Sequence, residues 1–272
     1  MKKSGILLLG LLLIGMSIQA QKIYVRAGLG VAVSTAADIV SDVNYSGTSN
    51  TNTSKKAGLG TGLPFVLAGG YKLNDNFGFE LGIDYFYGFS IKSKKVTSYS
   101  SSDSKWHGQM LSLVPSFVMT IPLEKIQPYA RLGLKLGVMN SVIYKDHKTM
   151  TPSVKATTTE IDSKSKDYGG IAIGVQAALG ADYVLSDMIS LFGEIQVDGI
   201  SYAPTHGKYL EYSENGTDMM GSRSVNQNKW NYKKEVNYNQ SIPDDQPKEV
   251  SRVNHRFGNV GLVIGVKFKF KS

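Results

Sequence analysis

Cysteine is absent from the 272 residues of this chain, and long apolar runs are nearly absent. Without cysteine the protein forms no disulfide and offers no thiol for lipid attachment. The only continuous apolar run covers residues 5–16, which is shorter than the roughly twenty residues that a membrane-spanning helix requires. These absences exclude a disulfide-stabilised domain and a helical membrane protein.

The apolar run has the features of an export signal. Lys2 and Lys3 precede it, and the small or polar residues 17–20 follow it. A charged start, a short apolar stretch and a small-residue exit are typical of a secretory signal peptide. We therefore predict a signal over residues 1–20, cleaved after Ala20, and one domain over residues 21–272. The alternative, a helical anchor, needs a longer apolar run.

The sequence is rich in segments that alternate apolar with polar or small residues, most simply in its last segment. Every second residue there is apolar: Val260, Leu262, Ile264, Val266, Phe268 and Phe270. A period of two is that of a β-strand with one apolar face. The chain has no helical segment to cover such faces, so lipid is the simplest covering.

Alternation recurs in eight segments, at residues 22–34, 63–71, 77–89, 107–121, 128–142, 169–185, 189–202 and 257–270. Their connections are alternately long and short. This asymmetry predicts an all-β fold, an eight-stranded antiparallel up-and-down transmembrane β-barrel with long extracellular loops and short periplasmic turns. A soluble β-sandwich is the alternative, but it does not explain the export signal, the strand length or the loop asymmetry.

Two local features refine this prediction. Pro115 predicts a β-bulge, because proline cannot donate to the sheet ladder. Aromatic residues predict girdles at the two membrane interfaces. We expect one girdle to contain Tyr71, Phe77, Tyr129, Tyr183, Phe268 and Phe270, and the other Tyr85, Tyr87, Phe89 and Trp106.

The inward-facing positions carry charges of both signs. An eight-stranded barrel is just wide enough to be filled by side chains, and buried charges must be paired. We therefore predict an ionic network in the interior, with Lys72 paired to Glu80 and Arg131 paired to Asp182. The alternative is a gated ion path. The predicted network consists of Arg26, Lys72, Glu80, Asp84, Arg131, Lys135, Asp182, Glu194, Asp198, Lys267 and Lys269.

The formal net charge of +8 indicates anionic partners. Nucleic acid is not expected, because the lysines are dispersed and the chain is exported. Phosphorylated lipid of an outer leaflet is one partner for the lysines near predicted loops, and simple solvation of those loops is the alternative. These lysines are Lys55, Lys56, Lys92, Lys94, Lys95 and Lys105.

The barrel pattern, the segment Pro128-Tyr129-Ala130-Arg131-Leu132-Gly133-Leu134 and the aromatic-rich last strand resemble the small outer-membrane barrels. These are the OmpA transmembrane domain, OmpX and the opacity-type porin family. The resemblance implies the outer membrane of a Gram-negative bacterium, a monomer, and contact with lipopolysaccharide. It also implies that Phe268 and Phe270 form the signal read by the outer-membrane assembly machinery. Lys271 and Ser272 follow, so this signal is slightly displaced from the terminus.

The longest predicted loop, residues 203–255, contains aromatic residues suited to binding a ligand or a host surface. They are Tyr209, Tyr212, Trp230, Tyr232 and Tyr238. We predict a structural and surface-interaction role through the extracellular loops, with a narrow porin as the alternative. OmpX-like barrels resemble this chain in such protruding segments, so the loop is also interpreted as an extension of the strands above the membrane.

A hydrolase at the barrel rim is a third alternative, since all four histidines fall in or near the loops: His107, His147, His206 and His255. Lipid A deacylase barrels carry a serine two residues from a histidine, whereas Phe257 occupies that position after His255. The nucleophile is therefore missing. We expect no catalytic, metal or cofactor site.

Overall fold

The computed structural model of the protein describes residues 22–35, 38–46, 49–151, 157–239 and 241–270. The predicted signal over residues 1–20 lies outside these residues, as do Lys271 and Ser272. No helix in the described part of the chain is long and apolar enough to span a membrane.

Strands make up nearly all of the regular structure. Their bounds are β1 (Ile23–Ser34), β2 (Asp38–Ser46), β3 (Ser49–Ala57), β4 (Gly62–Lys72), β5 (Phe77–Gly88), β6 (Ile91–Thr97), β7 (Ser100–Thr120), β8 (Ile126–Met150), β9 (Thr159–Tyr168), β10 (Ala172–Val184), β11 (Ile189–Tyr202), β12 (His206–Glu214), β13 (Thr217–Asp218), β14 (Lys229–Lys233), β15 (Lys248–Ser251), β16 (His255–Arg256) and β17 (Asn259–Lys269). One helical turn, α1 (Val225–Asn228), and a 3-10 turn (Met220–Ser222) lie between β13 and β14.

Eight of these strands close into an antiparallel barrel, which confirms the predicted fold class. The order around the ring is β1, β4, β5, β7, β8, β10, β11 and β17. The ring closes where β17 pairs with β1, from Tyr24 opposite Lys269 to Ser34 opposite Asn259. Closure gives every ring strand a partner on both sides, so no sheet edge is exposed to lipid.

Side-chain exposure alternates along the ring strands. In β5 the pattern is strict over the whole strand, with Phe79, Leu81 and Ile83 exposed and Glu80 and Asp84 buried. Apolar residues therefore cover the outside, and small or polar residues fill the inside, as a lipid-embedded barrel requires.

The predicted bulge at Pro115 is wrong. Pro115 lies opposite Leu81, in a continuous register between β5 and β7. The register shift lies instead between β7 and β8: Leu111 pairs with Met139 and Ser112 with Gly137. Val138 is the extra residue, and both Val138 and Met139 are exposed. The bulge thus changes which residues of β8 face inward, from odd-numbered to even-numbered ones.

The three short connections end the strands at the periplasmic side. In the first, the Asn74 side chain accepts hydrogen bonds from the backbone N–H groups of Asn76 and Phe77. In the third, the Ser186 hydroxyl accepts from the backbone N–H groups of Met188 and Ile189. Such side-chain acceptors stabilise tight turns.

The long segments expected as loops are largely strands. Residues 143–150 extend β8, and residues 100–104 begin β7 instead of forming a loop. Above the ring, β6, β7, β8, β9 and β12 pair side by side, and β14 and β15 continue the sheet. We call this sheet the extracellular extension. Cross-strand pairing explains why a polar, serine-rich sequence forms regular structure there.

Candidate functional site: the interior and the extracellular extension

Glu194 lies at the centre of the barrel interior. Its carboxylate accepts hydrogen bonds from Arg26 at 3.1 Å, from Arg131 at 2.6 Å and from the Tyr129 hydroxyl at 2.8 Å. These three donors come from β1 and β8, which do not adjoin β11 in the ring. The contacts therefore cross the lumen.

Glu80 completes this layer from the other side. Its carboxylate accepts from Arg26 Nε at 3.0 Å and from the Tyr24 hydroxyl at 2.8 Å, and Arg131 Nε lies 3.8 Å away. Two arginines thus alternate with two glutamates, all at most 6% exposed. Desolvated charges are tolerated in this way only when each is paired.

A second charged layer lies toward the extracellular side. Lys135 donates to Asp198 at 2.6 Å and to Asp84 at 3.5 Å. Gln176 joins the layers, since it accepts from Arg131 at 2.5 Å and donates to Asp84 at 2.7 Å. The network is therefore continuous along the barrel axis.

The periplasmic layer contains Lys267, which donates to Asp182 at 2.5 Å. The Lys267 ammonium also lies 4.6 Å from the centre of the Tyr24 ring and 5.2 Å from that of Tyr129. These cation–π contacts hold the cation between two rings.

The structure brings nine of the eleven predicted network residues into these three layers: Arg26, Glu80, Asp84, Arg131, Lys135, Asp182, Glu194, Asp198 and Lys267. Lys72 and Lys269 are half-buried at the periplasmic end. Within the described residues, neither is joined to a carboxylate by an ion pair.

Both predicted charge pairs are wrong, and the strand register explains why. Glu80 lies opposite Gly70, while Lys72 lies opposite Gly78 at the end of its strand. Arg131 lies opposite Ala178, whereas Asp182 lies opposite Gln127, four residues nearer the periplasm along β8. Arg131 consequently contacts residues at its own height, and Asp182 pairs with Lys267.

Above the ionic layers lies an apolar plug, which was not predicted from the sequence. It consists of Ala32, Leu59, Phe86, Met110, Val142, Ala172, Ile200, Tyr202 and Phe257, with Ile91, Trp106 and Tyr144 packed against it. Phe257 is at its centre, with ring centres 6.4 Å from Phe86 and 6.3 Å from Tyr202. The inward positions near the extracellular strand ends are apolar in the sequence, and this pattern could have predicted the plug.

Two residues assigned to the girdles are part of the filling. Tyr129 is 7% exposed and hydrogen-bonded to Glu194, and Trp106 packs against the plug. Tyr129 falls on the inward parity of β8, next to Arg131. Seven other predicted girdle residues have exposed side chains, as a position facing lipid requires. They are Phe77, Tyr183, Phe268 and Phe270 at the periplasmic end and Tyr85, Tyr87 and Phe89 at the extracellular end.

Asp167 covers the plug from the extracellular side. It is 2% exposed, and the phenols of Tyr144 and Tyr232 lie close enough to its carboxylate to be influenced by its charge. His255 Nε2 lies 3.6 Å from Asp167 Oδ2. Burial and the neighbouring Asp167 carboxylate raise the pKa of the Tyr144 phenol, so Tyr144 remains a donor. Tyr144 of β8, Asp167 of β9 and His255 of β16 thereby meet over the barrel mouth.

Three of the five predicted loop residues form an aromatic cluster above the ring. Tyr209 packs edge-on against Tyr212 at 5.6 Å and Trp230 at 5.5 Å, and the Arg223 guanidinium lies 3.8 Å from the centre of the Tyr212 ring. Burial and the charge of Asp167 raise the pKa of the Tyr232 phenol. Tyr238 is 70% exposed, and its hydroxyl is 2.7 Å from Ser251 Oγ.

An open groove of about 870 Å³ runs beside this aromatic cluster. Its lining includes Tyr209, Trp230, Tyr232 and Tyr238, together with polar side chains such as Asn226. Aromatic faces beside amide groups are suited to stacking against a ligand and hydrogen-bonding with it.

The four histidines have separate surroundings. His147 Nδ1 lies 2.7 Å from Asp162, and His206 Nδ1 lies 2.7 Å from the Thr205 hydroxyl. His107 packs against the Tyr87 ring, and His255 faces Asp167. Across the described ranges, no group of three or more acidic or histidine side chains is placed to hold a metal ion.

This fold and this filled, charged interior define a transmembrane β-barrel of the outer-membrane type. The family described as outer membrane protein beta-barrel domain matches residues 6–221, and the chain belongs to it. The resemblance expected from the sequence is thus confirmed.

Two solved structures are similar to the chain. One is the outer membrane protein OprG from Pseudomonas aeruginosa, at 17% identity and a TM-score of 0.42, over 94% of this chain and 100% of that one. The other is Ail, the attachment invasion locus protein of Yersinia pestis, at 12% identity and a TM-score of 0.31, over 91% and 99%. No curated protein matches the sequence.

Proposed function

We propose that this protein is a non-conducting outer-membrane barrel that acts through its extracellular extension, in a structural and surface-interaction role. The observation that carries the proposal is the double closure of the lumen. Paired charges cross it at the level of Glu194, and the apolar plug around Phe257 fills it above. A path for ions would have to break both.

The extracellular extension supports the proposed surface-interaction role. Its strands are ordered by pairing, and the Tyr209 cluster presents aromatic faces beside the groove. Rigid aromatic side chains bind partners at a low entropic cost. A soluble ligand or another cell surface is the partner that fits such a groove.

A hydrolytic function receives little support from the geometry. A nucleophilic hydroxyl requires a base, and that base must be oriented by a third group. Thr205 and His206 are in contact, but the described residues place no carboxylate on His206. Asp167 and His255 are in contact, and the hydroxyl near them is the half-buried Tyr144 phenol. We therefore propose that the protein is not an enzyme.

Conductance of the refolded mature chain in a planar bilayer tests closure. We expect a silent barrel, with folding verified by heat-modifiable gel mobility. Reproducible openings that change when Glu80 or Arg131 is replaced by glutamine would contradict the proposal and favour the narrow porin.

The two tryptophans allow a separate test of the groove. In a Trp106→Phe variant, Trp230 is the remaining tryptophan, so its fluorescence reports on the groove. Titration with a panel of soluble oligosaccharides and peptides should give a saturable change for at least one class. The Trp230→Phe variant, in which Trp106 reports on the plug, is the matched control. An unchanged Trp230 signal across the panel would contradict a binding groove.

A further inference from the structure

Four lysines lie directly opposite one another on adjacent strands of the extracellular extension. Lys92 of β6 pairs with Lys105 of β7, Lys105 with Lys145 of β8, and Lys145 with Lys164 of β9. We call these four residues the lysine row. Directly opposed residues share one face of a sheet, with Cβ atoms about 5 Å apart, and like charges in this arrangement are destabilising.

Most of the charge in the row is uncompensated. Lys164 Nζ lies 2.6 Å from the Glu211 carboxylate at the end of the row. Lys92, Lys105 and Lys145 are exposed, and none has a carboxylate within ion-pair distance in the described part of the chain. Three adjacent ammonium groups thus face outward together.

The neighbouring row on the same face shows that this sheet does compensate charge elsewhere. Two residues farther from the membrane, Lys94 lies 3.8 Å from Asp103, and His147 lies 2.7 Å from Asp162. Cross-strand neighbours there alternate in sign. The lysine row, one step nearer the membrane, has no such alternation of sign.

The height of the row indicates the source of a counter-charge. Tyr87 and Tyr168 lie in the row of cross-strand neighbours that also contains Ser141 and His206. Interfacial tyrosines mark the membrane boundary. Lys145 follows Ser141 by four residues, which is roughly 13 Å along a strand and about 10 Å along the membrane normal at a tilt of about 40°.

Polar headgroups occupy the first ~5–8 Å outside the hydrocarbon core. The lysine row therefore lies just above this layer, and long lysine stems can direct their ammonium groups down into it. Lys166 and Lys208 lie on the same face between the tyrosines and the row, with Lys208 Nζ 5.6 Å from the centre of the Tyr168 ring. Positive charge thus extends from the interface to the row.

We propose that the lysine row binds the phosphate groups of phosphorylated lipid headgroups in the outer leaflet. Phosphate is the anionic group present at this depth, and neighbouring ammonium groups can share its oxygens. This proposal goes beyond the proposed function, because it concerns the lipid-facing side of the extension and not the groove or the lumen.

The test uses the refolded mature chain in phosphatidylcholine vesicles, alone or with lipid A that retains its phosphates. In the variant Lys92→Gln, Lys105→Gln, Lys145→Gln, three like charges are removed while the side chains stay polar. The control variant Lys95→Gln, Lys234→Gln, Lys248→Gln removes the same charge from exposed positions outside the row, and Lys95 lies on the opposite face of β6 from Lys92.

We expect the midpoint of heat-modifiable gel mobility to shift in opposite directions in the two lipids. In phosphatidylcholine the row variant should be at least as stable as the wild type, because repulsion is relieved. In vesicles with lipid A the wild type should gain stability and the row variant should lose that gain. At about fivefold per lysine, the affinity of the row variant for lipid A should fall on the order of a hundredfold. The control variant should follow the wild type.

Three outcomes would overturn the proposal. The row variant and the control variant could lose the lipid A effect equally, which would indicate a general effect of charge. Dephosphorylated lipid A could stabilise the wild type as much as the phosphorylated form does. Inorganic phosphate without lipid A could reproduce the full effect, which would indicate a free anion and not a headgroup. If the triple variant does not refold, Lys105→Gln alone serves, because Lys105 has a lysine on both sides.

Discussion

Arg131 on β8 donates to Glu194 on β11 over 2.6 Å, across the barrel interior and past the intervening strand β10. The two side chains are 2% and 0% exposed. Because Arg26 and Tyr129 bind the same carboxylate, Glu194 links strands from three parts of the ring. It is therefore the residue at which the closed interior is most sensitive to the loss of one charge.

Glu194→Gln should destabilise the folded barrel by about 3–5 kcal/mol, because removing one partner leaves buried cations uncompensated. Equilibrium unfolding in urea from lipid vesicles measures this. The matched control is Glu211→Gln, which removes the exposed partner of Lys164 and should cost about 1 kcal/mol or less. Equal effects of the two changes would contradict a paired interior.

Gly70 and Gly69 are neighbours on opposite faces of β4. A Cβ atom at Gly70 would collide with the Tyr24 ring, whereas one at Gly69 would meet no atom within 4 Å. Gly70→Ala should therefore cost about 1–3 kcal/mol through overpacking, and it should displace Tyr24 from Glu80. Gly69→Ala should be nearly neutral. Unfolding midpoints compare the two, and a reversed order would show that the inward and outward faces are assigned wrongly.

Phe257→Ala should cost about 3–5 kcal/mol by leaving a cavity in the apolar plug. It should not open the barrel to ions, because the Lys135 and Glu194 layers remain closed below it. Unfolding and bilayer conductance are measured on the same variant. Phe89→Ala, at a 48% exposed position, is the control and should cost less. Conductance after Phe257→Ala alone would indicate that the ionic layers do not close the lumen.

His147 should titrate above its ordinary range, because the hydrogen bond and charge of Asp162 raise its pKa. A raised folded-state pKa means that the pair stabilises the extension fully below the unfolded pKa, near 6.5. This contribution is lost as the pH rises through the folded pKa. Proton NMR of the imidazole measures the value. In Asp162→Asn the pKa should fall toward the ordinary one, and no change would contradict the contact.

Much of the barrel was encoded locally and could be predicted. Alternation with a period of two assigns residues such as Glu80 and Leu81 to opposite faces without knowledge of any partner strand, and turn residues such as Asn74 place the hairpins. The inward parity of each ring strand therefore indicated most charged residues of the interior.

Pairing could not be predicted in the same way, because it depends on the relative height of strands. That height is set by the register between strands, by the tilt of the ring strands and by the bulge at Val138. This bulge lies in β8, whereas Pro115 lies in the neighbouring strand β7. Arg131 therefore contacts Glu194 and not Asp182, although all three were identified as inward-facing.

The sequence by itself determined the eight ring strands, their lipid-facing sides and the class of protein, because a strand's two faces are fixed by local alternation. Only the tertiary structure decided which charges meet, that Phe257 plugs the mouth, and that Lys92, Lys105, Lys145 and Lys164 form one row. These relationships join residues far apart in the chain, and closure of the barrel with its particular register brings them together.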